Sequence, residues 1–166
     1  MDKYLIKPTN SPDSSGGHKS TLELLDDLPA QQAKTITLGV LGSSQHSYWN
    51  QNTISDTILN PILSDTGRLP DAMLLPTDGA SSMLLQVWGE KQSIPLTCLD
   101  ADWAKLGKKA RALRDARILK ESTHLIIFLG KRSDTYEKIA IRECKKGKVV
   151  YTIDTQSKEL VEWKLE

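Results

Sequence analysis

From Thr35 onward the chain alternates short β-branched apolar runs with segments of helical periodicity, and this alternation constrains the fold more than any other feature. Residues 36–41 read ITLGVL and stop at Gly42-Ser43-Ser44, the pattern of a buried strand entering a turn. In 52–63, Ile54, Ile58 and Ile62 recur every four residues beside Leu59 and Leu63, which predicts a helix with one apolar face. Pro61 is expected to bend or shorten it. Residues 71–75 predict a second strand halted by Pro76. Residues 81–91 predict a second helix burying Leu84, Val87 and Trp88, and 94–98 a third strand. Residues 108–121 predict a third helix with Ala112, Ala116 and Leu119 inward. Residues 124–129, beginning at His124, form the clearest strand. Residues 135–146 predict a fourth helix closed by Gly147. Residues 149–153 predict a fifth strand, and 160–165 a sixth, returning as an antiparallel edge strand. Strands alternating with helices predict an α/β fold with a mainly parallel sheet. The unbroken apolar character of 36–41 and 125–129 places those two strands at its centre.

A chain of 166 residues is one domain's worth. Residues 1–20, rich in Ser, Gly, Pro and Asp, read as a flexible N-terminal tail, and 21–166 as a single domain. A segment such as Tyr4-Leu5-Ile6 is the part of that tail able to dock. The formal net charge of +1 gives no global pull toward nucleic acid or membrane. No apolar run approaches the roughly 20 residues of a membrane span, and MDKYLIKPTN lacks a signal peptide's apolar core. A cytoplasmic protein without a membrane partner is expected. Whether it forms a homo-oligomer is left open by the sequence. Cys98 and Cys144 lack CxxC spacing and nearby His, and read as reduced, small apolar residues. Asp100 and Asp102 share a loop with no His beside them. His18, His46 and His124 are scattered. No metal, no cofactor and no catalytic triad is expected.

Ligands of parallel sheets sit beyond the carboxyl ends of the strands, at the switch in strand order. The loops to inspect are therefore Gly42-Ser43-Ser44, Thr77-Asp78-Gly79-Ala80, 100–103 and 130–134. Gly42, Ser43 and Ser44 suit a phosphate held by hydroxyls and bare amides, or a simple tight turn. Gly79 and Ala80 keep the backbone bare, and Asp78 suits ribose hydroxyls. Ser81 or Ser82 reads equally as a helix N-cap. His46 lies in the first of these loops. Residues 103–120, WAKLGKKARALRDARILK, carry seven cations and one anion in an otherwise balanced chain. Lys108, Arg111 and Arg114 recur every three residues from an expected helix start, where amides and dipole favour an anion. Lys109, Arg117 and Lys120 read as solvated. The alternative is a basic helix face with no ligand.

The order of strand with GSS, strand with TDGA, then W-x-x-x-G-K-K-A-x-x-x-R-D, then a strand and a Thr-containing loop resembles the SLOG superfamily, the fold shared by Smf/DprA and LOG proteins, in its YspA-like branch. Gly42 matches the first motif's Gly, and Gly79 with Ala80 the second motif's Gly-Ala. Trp103, Gly107, Lys108, Ala110, Arg114 and Asp115 match the third motif, Asp115 standing for Asn. Gly130 and Thr135 match the last. The first-loop Arg, the second motif's His and Ala-Asp, and the Pro-Gly-Gly signature of phosphoribohydrolases are absent. The resemblance implies a Rossmann-like three-layer sandwich that binds a nucleotide or nucleotide-derived small molecule, in a sensing or sequestering role. It implies ligand contacts from Gly42, Ser43, Ser44, Asp78, Gly79, Ala80, Lys108, Arg111, Arg114, Gly130 and Thr135. Two alternatives stand beside it. One is an N-glycosidic hydrolase or deoxyribosyltransferase-like enzyme, with Asp78 or Glu137 as its carboxylate. The other is a DNA-processing-type nucleic-acid module, against which neutral overall charge and few aromatics argue.

Overall fold

The structure is a computed structural model that describes residues 35–42, 49–130 and 134–164 with their side chains, and the backbone of 2–5. Seven strands form one sheet: β1 (Asp2–Leu5), β2 (Thr37–Leu41), β3 (Ala72–Pro76), β4 (Leu96–Leu99), β5 (His124–Leu129), β6 (Val149–Asp154) and β7 (Leu160–Lys164). They lie in the order β1-β7-β6-β5-β2-β3-β4. The five strands β2 to β6 are parallel, and β7 and β1 are added antiparallel. Counted from β2, the parallel strands run 3-2-1-4-5, the doubly wound Rossmann order.

The expected antiparallel C-terminal strand is present as β7, but it is not the edge. Asp2–Leu5, expected within a flexible tail, form β1 and pair with β7 from Asp2↔Lys164 to Leu5↔Val161. The remainder of that tail lies outside the described residues.

Alternation along the strands sends side chains to two separate cores. On one face Leu38, Val40, Met73, Leu75, Ile126, Phe128, Tyr151 and Ile153 pack against Ile54, Ile58, Leu59, Ile62, Leu85 and Trp88. Those partners belong to helix α1, running from Gln51 to Thr66, and helix α2 (Ala80–Lys91). On the other face Leu41, Leu74, Leu125, Ile127 and Val150 meet Ile118, Leu119, Ala140 and Cys144. These come from α4 (Ala110–Glu121) and α5 (Asp134–Lys145). The short helix α3 (Trp103–Leu106) and a 3-10 turn at Gly107–Lys109 precede α4. The result is the three-layer α/β sandwich expected, with β2 and β5 side by side in its interior.

Two local expectations are corrected. Pro61 does not end α1. A π turn over Ser55–Leu59, in which the Asn60 N–H reaches the Ser55 carbonyl, widens the helix just before the proline, and α1 runs on to Gly67, which caps it at φ 79°. In α4 the inward residues are Ala110, Arg114, Asp115, Ile118 and Leu119, whereas Ala112 and Ala116 face solvent. A buried arginine and aspartate thus occupy a face that apolar counting assigned to alanines.

Candidate functional site

The switch in strand order falls between β2 and β5. Beyond their carboxyl ends stand Gly42 and Gly130, as the sequence requires of a ligand site in this fold. Gly42 has φ +66°, and a Cβ there would sit 2.4 Å from the Phe128 carbonyl oxygen and 3.5 Å from the Tyr136 ring. Only glycine fits this close to the backbone of β5. Ser43, Ser44 and His46 lie outside the described residues.

Next to this point a chain of polar side chains joins three elements. Arg114 of α4 is buried, its side chain 4% exposed. Its Nη1 donates to Asp78 Oδ1 at 2.6 Å, and its Nε donates to Asp115 Oδ1 at 3.1 Å. Asp115 Oδ2 accepts in turn from the Tyr136 hydroxyl of α5 at 3.2 Å. Burial pushes the Asp115 carboxyl up against the opposing pull of Arg114. Burial also pushes the Tyr136 phenol up to about 12, with the Asp115 charge adding to it. The phenol stays protonated and donates. Asp78, Arg114 and the Gly42 loop are therefore brought together as expected. Asp78 is directed at Arg114, however, and Arg114 is enclosed by two carboxylates.

No protein-family model, curated protein or solved structure matches this chain.

The chemistry of the rim rests on its own geometry. Gly79, at φ 97°, is the N-cap of α2 and supplies no side-chain cap, so the first amides of that helix lack the usual capping oxygen. The N-cap expected at Ser81 or Ser82 is thereby corrected. Both serines lie inside the helix, buried, and neither hydroxyl has a hydrogen-bond partner among the described residues. The third buried side-chain atom of this kind is Trp49 Nε1. Trp49 stands edge-on to Phe128, with centroids 6.3 Å apart, just before α1. Gln51 Nε2 donates to the Leu84 carbonyl at 3.1 Å and ties the start of α1 to the first turns of α2. All three unpartnered groups thus lie at the carboxyl rim. Buried polar groups are nearly always satisfied, and leaving one unsatisfied costs about 1–3 kcal/mol. An indole N–H donates only, a hydroxyl can donate, and helix N-terminal amides donate. These groups can all donate to an acceptor.

The basic segment divides. Lys108 sits in the 3-10 turn and not in a helix, and is exposed; Arg111 is exposed and lies 5.7 Å from the ring of Trp103. Trp103 is itself 51% exposed. Lys105, Lys108, Lys109, Arg111, Arg117 and Lys120 are all exposed, and none forms an ion pair among the described residues. Thr135 and Glu137 are exposed in the first turn of α5. The loop carboxylates have structural partners: Asp100 accepts from the Thr77 hydroxyl, and Asp102 caps α3 by accepting from the Lys105 amide at 3.1 Å. Tyr136 is the site residue that sequence reasoning missed. Its only signal was its place just after Thr135, at the start of a helix beside the switch.

An open groove of about 490 Å³ lies at the opposite, amino end of the sheet, lined by Thr35, Ser122, Thr123, His124, Lys146 and Lys148. Its polar groups are already used. Lys148 donates to Glu143 and to the Leu119 carbonyl, and the Thr123 hydroxyl bonds the Thr37 backbone and the His124 ring. Unmet hydrogen-bonding capacity favours the rim.

Proposed function

We propose that this chain is a SLOG-type domain that binds a nucleotide or nucleotide-derived ligand at the carboxyl rim, its phosphate resting on the start of α2. The observation that carries the reading is the clustering of the unpartnered buried groups Trp49 Nε1, Ser81 Oγ and Ser82 Oγ beside the uncapped α2 N-terminus. A phosphate is a strong acceptor that suits such donors and the positive end of the helix dipole. The bare Gly79-Ala80 turn admits close backbone approach. Trp103, half exposed after β4 on the same rim, offers a ring face to a base. Binding, as in sensing or sequestration, suits this site better than turnover, because Asp78, one of the two carboxylates available for a glycosidic reaction, is occupied by Arg114.

Thermal melts of the purified protein with adenosine, AMP and ADP test this. The phosphorylated compounds should raise the melting temperature and the nucleoside should not. Equal, negligible shifts for all three would remove the proposal. The six exposed unpaired cations support a second reading, binding of a nucleic-acid strand. It would be recognised by affinity that falls steeply with salt and is indifferent to substitution in the α2 turn.

A further inference from the structure

We propose that Lys158, whose ammonium lies over the ring of Trp49, is the cation of the rim site and receives an acidic group of the ligand together with the Trp49 indole N–H. This rests on the rim reading above and adds the positive charge that the reading lacks. The basic segment does not supply it. Arg114 already lies between two carboxylates, and Lys108 and Arg111 are exposed.

The turn between β6 and β7 sets Lys158 in place. Thr155 donates to the Leu129 carbonyl through its N–H at 3.0 Å and its hydroxyl at 2.9 Å, which fixes the turn to the carboxyl end of β5. The Asp154 carboxylate accepts from the amides of Gln156 at 2.7 Å and Ser157 at 3.1 Å. The Lys158 N–H closes the turn onto the Asp154 carbonyl at 2.7 Å. Lys158 itself has φ 59°, a left-handed conformation that glycine or asparagine adopts more readily. A lysine kept there by its surroundings is the kind of local strain that gathers at binding sites.

Lys158 Nζ lies 5.4 Å from the centroid of the Trp49 ring. The residue is half-buried and forms no ion pair among the described residues. A cation–π contact orients the ammonium without neutralising it. Trp49 is itself only 6% exposed, and its Nε1 has no hydrogen-bond partner among the described residues. One ring thus carries an unpartnered N–H at its edge and an unneutralised cation over its face. Both donate, and a single phosphate group accepting two bonds of about 2.9 Å has the size to meet both. Trp49 belongs to the same core cluster as Leu85 of α2, and Gln51 ties the start of α1 to the first turns of α2. The pair therefore stands on the same face of the carboxyl rim as Ser81, Ser82 and the uncapped helix start.

Calorimetric titration of the full chain and of its Lys158→Met, Lys158→Arg and Trp49→Phe variants with inorganic pyrophosphate and with ADP tests this. Lys158→Met should weaken pyrophosphate binding about ten- to a hundred-fold, the loss of one charge-assisted hydrogen bond. Lys158→Arg, which keeps the charge, should restore most of it. Trp49→Phe keeps a ring face beneath the cation and removes the N–H, and should still weaken binding about ten-fold. Equal affinities for the unaltered protein and Lys158→Met, no effect of Trp49→Phe, or no pyrophosphate binding in any form overturns the proposal. Pyrophosphate binding that depends on Lys158, without any ADP binding, upholds the anion site and sinks the nucleotide reading. ADP binding that is indifferent to Lys158→Met does the opposite. Should the variants fold poorly, the Trp49 indole N–H resonance of the unaltered protein gives a second readout. It should move on saturation with pyrophosphate, and a fixed signal at saturation contradicts the assignment.

Discussion

At the scale of single residues, two charge clusters dominate, and only one belongs to the rim. Glu143 is fully buried in α5 and accepts from Lys148 at 2.7 Å, Arg142 at 3.0 Å and Lys146 at 3.1 Å. Burial alone pushes its carboxyl up, but the hydrogen bonds from Lys148, Lys146 and Arg142 outweigh it and hold it at about 2. A folded-state value below the unfolded one contributes stability that is complete above the ordinary carboxylate range and drains as pH falls toward about 2. Arg142 and Lys146 are more than half exposed, which discounts their share. On that basis, the acid loss attributable to Glu143 is on the order of 2 kcal/mol. Urea unfolding from neutral to strongly acidic pH should show that loss, and Glu143→Gln should lack it while being less stable at neutral pH. Identical pH slopes would contradict the assignment. Arg114 shows where residue-level reading of the sequence stops. Its charge and place in the basic segment marked it as special, but spacing along one helix cannot reveal that Asp78, from another loop, faces it. Nor can it show that Tyr136 supports its neighbour. Those pairings exist only across elements.

Among elements, the strands and helices were legible because both faces of the sheet are covered. Burial on two sides forces unbroken apolar runs such as Leu125–Ile126–Ile127–Phe128, and an amphipathic stripe on each covering helix. The departures have local causes. A π turn absorbs Pro61, and the basic segment is spread over α3, a 3-10 turn and α4 instead of one helix. That break separates Lys108 from Arg111 and Arg114, and within α4 Arg111 is exposed while Arg114 is buried, so evenly spaced cations do not form one patch. The closeness of Gly42 to the backbone of β5 is an element-scale property with a sharp consequence. Gly42→Ala meets both a positive φ and the Phe128 carbonyl at 2.4 Å. It should lower stability by about 2–3 kcal/mol in urea titration, the range of a strained backbone residue. Gly130→Ala, with nothing within 4 Å of the new methyl, should stay within about 0.5 kcal/mol. Equal effects would mean that Gly42 does not lie against the backbone of β5.

For the whole molecule, topology selects one end of the sheet. The order 3-2-1-4-5 puts a crevice at the carboxyl ends of β2 and β5, and the uncapped start of α2 lies on the same rim. The sequence reading turned to that rim because ligands of parallel sheets sit beyond the carboxyl ends of the strands. It did not anticipate β1, because four residues of strand that pair only with a distant edge carry no periodic signal of their own. No helix among the described residues is long and apolar enough to cross a membrane. The central claim, a phosphate-bearing ligand at the α2 turn, is tested most directly by native mass spectrometry of the full chain, as purified and after incubation with mixed nucleotides. The account predicts an added mass equal to one nucleotide or nucleotide derivative, released on denaturation and missing in Gly79→Leu, whose side chain would fill the turn. Only the bare mass under both conditions, or an adduct that Gly79→Leu retains undiminished, would contradict it.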